Sequence, residues 1–258
     1  MKLIDAHTHV SCPDFQEDRT EVLKRAFEVC DYLIDIGAGT EAGAHQRAKE
    51  LAENNESIYF TAGVHPHDAE ELGQDPKLRK EIEVLLPHPK CVAVGECGLD
   101  YFYDHSPREA QMEVFRWQIE LAQKHELPLM IHTRNAEDDT KQLLRDYTGK
   151  GIFHCFTGSK DLADFGLKKD FMISFSAIPS FKKADELREL FVSLPVENIL
   201  TETDAPYLAP APMRGKRNEP SFIKYTAEFL ANQKKLALDD FVQTTHRNAL
   251  KVFHKITS

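Results

Sequence analysis

The feature that most constrains the fold is an alternation kept from end to end: short, near-continuous apolar runs separated by longer amphipathic stretches. The runs are Leu3–His9, Tyr32–Ala38, Ile58–His65, Cys91–Gly98, Pro128–Thr133, Gly151–Phe156, Phe171–Ala177 and Ile199–Asp204. A strand covered on both faces loses the polar–apolar alternation of a half-exposed one, so such runs predict a parallel sheet with helices on its faces. Between them, Met112, Phe115, Ile119 and Ala122 share one helical stripe over Arg108–His125, as do Phe222, Tyr225 and Phe229 over Ser221–Gln233. Ser221 after Pro220 reads as the N-cap region of that helix. Leu238–Phe253 reads as a closing helix in which His246 and Asn248 are structural. Eight strand signals with helices between them predict an α/β fold, a (β/α)8 TIM-type barrel forming a single domain over residues 1–258. An open doubly wound sheet is the alternative, and it is weakened because no Gly-rich dinucleotide fingerprint follows the first strand.

Composition narrows the class. With 32 basic and 42 acidic residues the formal charge is −10, so the surface offers no general attraction to nucleic acid or anionic membrane. A polyanionic substrate would need a locally basic or metal-bearing site. No apolar run reaches the roughly 18 residues of a membrane span, and the start MKLIDAHTHV lacks the pattern of a secretory signal. The five cysteines are odd in number and contain no CxxC pair, which argues for reduced thiols. A cytoplasmic monomer is the expectation.

The chemistry-bearing residues fall where a barrel enzyme places its site, at C-terminal strand ends. His7 and His9 end the first run, Glu96 the fourth, His132 the fifth, His154 the sixth and Asp204 the eighth. Residues two apart on a strand share a face, so His7 and His9 both point inward, where two imidazoles are expensive unless ligated or hydrogen-bonded. Four neutral nitrogens and two carboxylates suit one or two divalent cations: zinc, manganese or magnesium. A pair of ions about 3.5–4 Å apart needs a bridging anion, and Glu96 has two oxygens to offer. The expected arrangement is His7, His9 and Asp204 with Glu96 on one ion, and His132 and His154 with Glu96 on the other.

The stretches IDAHTHV (4–10), GVHPHDA (63–69), GECGLDY (95–101), PLMIHTR (128–134), HCFTGS (154–159), LTETDAPYL (200–208) and RGKRNEPSF (214–222) span nearly the whole chain. In this order the sequence resembles the TatD family of metal-dependent deoxyribonucleases, within the amidohydrolase-like superfamily. The family's ligands fall on His7, His9, Glu96, His132, His154 and Asp204. The resemblance implies exonuclease-type hydrolysis of DNA, at single-stranded or 3′ ends, by a metal-activated water. Superfamily branches acting on cyclic amides or phosphotriesters bridge their metals with a carbamylated lysine on strand four. The fourth run here ends in Glu96 and contains no lysine. Hydrolysis of a small amide or ester on the same binuclear site is the alternative activity.

Around this set, Asp204 is expected to bind metal and to accept a proton from the attacking water. Glu202, two residues earlier, either orients a ligand and helps handle protons or is a buried acid satisfied by a neighbour. His65 is expected to reach the substrate phosphate, with His67 ordering its loop. Arg134 suits a phosphate oxygen. Arg214, Lys216 and Arg217 form a basic cluster expected to grip a nucleic acid backbone. Tyr101 and Tyr103 either stack a terminal base or pack beneath a loop.

Overall fold

The computed structural model describes residues 2–38 and 43–256. Eight parallel strands hydrogen-bond in chain order: β1 (Leu3–Thr8), β2 (Cys30–Gly37), β3 (Ile58–Ala62), β4 (Cys91–Asp100), β5 (Leu129–Arg134), β6 (Gly151–Phe153), β7 (Met172–Phe175) and β8 (Ile199–Thr201). The sheet curls until its edges meet: the Asp204 N–H donates to His7 O at 2.9 Å and the His9 N–H to Ala205 O at 2.8 Å. Helices α1 (Arg19–Val29), α2 (Ala44–Glu53), α3 (Pro76–Leu85), α4 (Arg108–His125), α5 (Glu137–Leu143), α6 (Lys160–Lys168) and α7 (Asp185–Ser193) link successive strands. After β8 come α8 (Ile223–Lys234) and α9 (Leu238–Val252). This is the TIM-type barrel the alternation predicts. Among the described residues no helix is long and apolar enough to cross a membrane.

Two apolar layers hold it together. The outer one, between strands and helices, includes Phe60, Phe115, Phe153 and Phe175. The inner one is built from Ile4, Ile36, Met130, Ile152, Met172 and Leu200, and its floor is Ala249 and Val252 of α9 with Phe253. The lower barrel is therefore filled with side chains, and room for chemistry is left only at the C-terminal mouth.

Two bulges set what points into that mouth. Asp5 pairs with Leu33 and Thr8 with Asp35, so three steps along β1 face two along β2. Gly95 pairs with Met130 and Cys97 with Ile131, which leaves Glu96 as the extra residue of β4. A bulge re-aims the side chain it inserts. The Gly95–Glu96 and Ala205–Pro206 peptides are cis.

Several ladders end before the apolar runs do. β3 stops at Ala62, and the amide of the buried Gln118 on α4 takes the place of a strand partner. It accepts from the Val64 N–H at 2.8 Å and donates to Val64 O at 3.0 Å. Pro220–Phe222 is a short 3-10 turn and α8 begins at Ile223. Ser221 does not cap that helix, because its hydroxyl donates to the neighbouring Glu219 carboxylate instead. His246 and Asn248 are structural as expected: His246 Nδ1 meets Lys2 O at 2.9 Å, and the Asn248 amide donates to Val196 O and Ile199 O at 2.8 and 2.9 Å.

Candidate metal centre

Two groups of donor atoms converge at the mouth. In the first, His7 Nε2 lies 3.2 Å from His9 Nε2, 3.4 Å from Glu96 Oε2 and 3.6 Å from Asp204 Oδ1, while His9 Nε2 is 3.4 Å from Asp204 Oδ1. In the second, Glu96 Oε1 lies 2.8 Å from His154 Nε2, 3.2 Å from His132 Nδ1 and 3.4 Å from His65 Nε2. Ligands about 2.0–2.1 Å from a tetrahedral zinc stand roughly 3.3 Å apart. The donor spacings match, and the donor set of imidazole and carboxylate fits a borderline divalent cation. Glu96 is 4% exposed and gives one oxygen to each group.

Hydrogen bonds behind the donors fix which nitrogen faces the centre. His132 Nε2 donates to Asp100 Oδ2 at 2.9 Å, leaving its Nδ1 lone pair toward Glu96. His154 Nδ1 donates to Glu202 Oε1 at 3.3 Å, leaving Nε2 inward. Glu202 is fully buried and also accepts the Cys155 N–H at 2.7 Å. Its Oε2 is buried with no hydrogen-bond partner, and with His7 and His154 the carboxylate forms a further group close enough for a cation. His65 differs from the other imidazoles. Its Nδ1 accepts the His67 N–H at 3.2 Å, so a neutral ring carries its proton on Nε2. Burial pushes its pKa down to about 4, which keeps the ring neutral. Although His65 sits with Glu96 and His132 in a geometry a cation would accept, it presents an N–H to the centre rather than a lone pair.

Electrostatics bind the group into one unit. Burial pushes the Glu96 carboxyl up, but His154, His65 and His132 more than offset it, holding the group well below the usual carboxylate range. Burial likewise opposes the charge on His154, yet Glu96 and Glu202 raise it well above an ordinary histidine. His7 is lowered by burial and by His154, whose ring stacks on it at 3.9 Å. Beneath His7 lies Asp5, fully buried, accepting the Thr203 N–H at 2.9 Å and the Thr203 hydroxyl at 2.5 Å; burial pushes its pKa up to about 8.

A cavity of about 800 Å³ opens above the donors and is lined by His9, His65, His132, His154, Tyr103, Arg134, Asp204 and Tyr207, among others. Arg134 reaches it with its guanidinium 3.9 Å above the Phe102 ring and 4.8 Å from that of Tyr103. Two arginines of the basic cluster are engaged outside that lining. Arg217 donates to Asp14 O and to Asp18 Oδ2 at 2.5 and 2.6 Å and covers Phe15. Arg214 lies over Phe181 at 4.2 Å. Both hold the loop after β8 against the barrel, and neither lines the cavity. Tyr101 packs under its loop, its hydroxyl on Asp139 at 2.7 Å, whereas Tyr103 faces the cavity.

Asp100 lines the cavity and Asp5 lies behind His7, and the only mark of either in the sequence is strand parity with Glu96 and His7. Asp100 Oδ2 also accepts from His67 Nε2 at 3.1 Å, and Oδ1 accepts the Phe102 and Tyr103 N–H groups at 3.0 and 2.9 Å. Asp100→Asn would present an amide N–H₂ to two imidazole N–H groups, so His132 would have to move its proton to Nδ1, the nitrogen that faces Glu96. The expected outcome is a loss of about 10- to 100-fold in metal affinity and activity. Metal titration of the metal-free variant checks it, and affinity equal to wild type would show that Asp100 does not set the tautomer.

Known proteins resemble this chain over nearly its whole length. The TatD related DNase family model matches residues 4–254. The metal-dependent hydrolase YabD of Bacillus subtilis is 38% identical over 255 residues, covering 97% of this chain and 98% of the relative. A protein of Erwinia tasmaniensis named 3′-5′ ssDNA/RNA exonuclease TatD is 33% identical, covering 98% of this chain and all of its own length. Among solved structures, the TatD homologue YJJV of Escherichia coli K12 superposes with a TM-score of 0.90 at 28% identity, covering 98% of both chains.

Proposed function

The chain belongs to the TatD related DNase family and is a metal-dependent hydrolase, and we propose that it cleaves phosphodiester bonds of DNA. In this reading it removes nucleotides from single-stranded or 3′ ends and uses two divalent ions. The observation that carries it is Glu96, whose two oxygens each join a separate group of ligand atoms at the floor of one cavity. His7, His9 and Asp204 complete one group, and His132 and His154 the other. These residues would hold divalent cations, whose chemistry would be to lower the pKa of a water and neutralise charge on phosphate oxygens. Burial raises the Asp204 carboxyl, but His9, His7 and His154 lower it further, so it stays a carboxylate able to accept the water's proton. His65 offers an N–H, and Arg134 a planar fork, to the phosphate oxygens. Glu202 keeps the His154 ring in place. The exonuclease name of the Erwinia relative supports the same activity.

The test is stepwise nucleotide release from a single-stranded oligonucleotide by metal-free protein reloaded with magnesium, manganese or zinc, beside a panel of small esters and amides. The expected result is cleavage of DNA that stops with chelator and returns with metal, at two ions per chain. DNA left intact under all three metals while an ester or amide turns over would overturn the reading.

A further inference from the structure

Two tyrosine rings stand on opposite lips of the metal cavity. Tyr103 follows β4 and Tyr207 follows β8, and in an eight-stranded barrel of sequential order those strands face each other across the mouth. Both rings line the cavity, yet Tyr103 is 51% exposed and Tyr207 is 60% exposed. Each is held in place. Tyr103 is braced by His105, whose ring is parallel to it at 5.4 Å, by the edge of His67 at 5.5 Å and by the Arg134 guanidinium. Tyr207 meets the edge of His9 at 6.0 Å, and its backbone is pinned by its N–H on Asp204 O at 2.9 Å and by the Asn218 amide on Tyr207 O at 2.6 Å. Half-open rings with ordered neighbours are a form in which a protein presents stacking surfaces, because a Tyr side chain has little rotamer freedom to lose when a flat partner arrives.

We infer that the two rings form a base clamp, Tyr103 stacking the base on one side of the cleaved phosphodiester and Tyr207 the base on the other. The inference rests on the phosphodiesterase reading and adds how the substrate is chosen. Charge supports it. The protein carries −10 overall, and neither Arg214 nor Arg217 lines the cavity, so few cations face a backbone lying in it. Stacking then has to supply affinity. Two neighbouring bases splayed to opposite lips have left the duplex stack, so such a clamp selects unpaired ends without base-specific contacts.

The experiment is a cycle between ring and base. Single-stranded oligonucleotides carry an abasic residue at the terminal or the penultimate position, and wild type is compared with Tyr103→Ala, Tyr207→Ala and the corresponding phenylalanine variants. On the normal strand each alanine variant is expected to raise KM about tenfold to a hundredfold, the worth of one stacked base. Little change in kcat and retention by the phenylalanine variants are expected with it. An abasic residue at one position should cost wild type a similar factor and the matching alanine variant nothing further, with the two tyrosines matching different positions. Losses that multiply independently, or two tyrosines that couple to the same base, overturn the clamp while leaving the phosphodiesterase reading intact. Wild type that cuts no oligonucleotide overturns that reading and the clamp with it.

Discussion

Replacing Glu96 with glutamine is expected to reduce hydrolysis by about a thousandfold or more and to reduce bound metal to one ion per chain or fewer. Residues that merely support a ligand cost about 10- to 100-fold when changed, and Glu96 stands inside both donor groups, so its loss has to exceed theirs. Glutamine keeps the shape and one oxygen, but its N–H₂ would face either His7 Nε2 at the Oε2 position or His132 Nδ1 and His154 Nε2 at the Oε1 position. An ion in one group would then meet a donor hydrogen where it needs a lone pair. The fold should tolerate the change in the absence of metal. Exchanging the buried carboxylate for an amide removes a desolvated charge, and the imidazoles whose charge it favours lose their protons to water instead of staying charged and unpaired. Metal-free wild type and Glu96→Gln are therefore expected to melt within a few degrees of each other, while the rise in Tm on adding metal, set by ion affinity, shrinks in the variant. Metal analysis, melting with and without cation, and the rate on an oligonucleotide together decide it. Equal metal content and equal rate in the variant would remove Glu96 from the centre.

The strand count, the barrel and the convergence of His7, His9, Glu96, His132, His154 and Asp204 were legible because a buried parallel strand writes its period and its ends into the sequence. What escaped was local. Alternation alone puts Glu96 on the inner face with Gly98 and Asp100, but the ladder shows Glu96 as an inserted residue, and a bulge leaves no mark in a hydrophobic pattern. The contacts of the two arginines after β8 depend on Asp18, Phe15 and Phe181, residues far away in the chain that no local motif brings near. For His65 the motif carried the residue but not its tautomer. That follows from one backbone N–H two residues on, which only the 3-10 turn Pro66–Asp68 brings back to the ring. Asp100 was within reach, since it shares parity with Glu96 in the same motif, and became visible once its two imidazole partners were placed.

Gly98→Ala is expected to destabilise the protein by about 3 kcal/mol or more, because overpacking and a disallowed backbone act at one position. For a chain of this size that is a fall in Tm of roughly 6–12 °C. Gly98 has a φ of +131°, outside the range L-residues favour, and a Cβ there would lie 1.9 Å from His132 O, its partner across the β4–β5 ladder. The clash is with backbone, so no side chain can swing away to relieve it; the strands have to separate. Separation moves His132, and with it the ring that bonds Asp100 on one side and faces Glu96 on the other. The folded fraction should therefore also lose activity, on the order of a hundredfold for a shift near 1 Å. Gly215 supplies the comparison. It too has a left-handed φ, +86°, but an added Cβ there meets nothing within 4 Å, so Gly215→Ala carries only the conformational cost of about 1 kcal/mol and leaves the centre untouched. Thermal melts and rates of the two variants separate close strand approach from backbone conformation. If both melted alike and retained full activity, the contact of β4 with β5 at Gly98 would not be what sets His132 against Glu96.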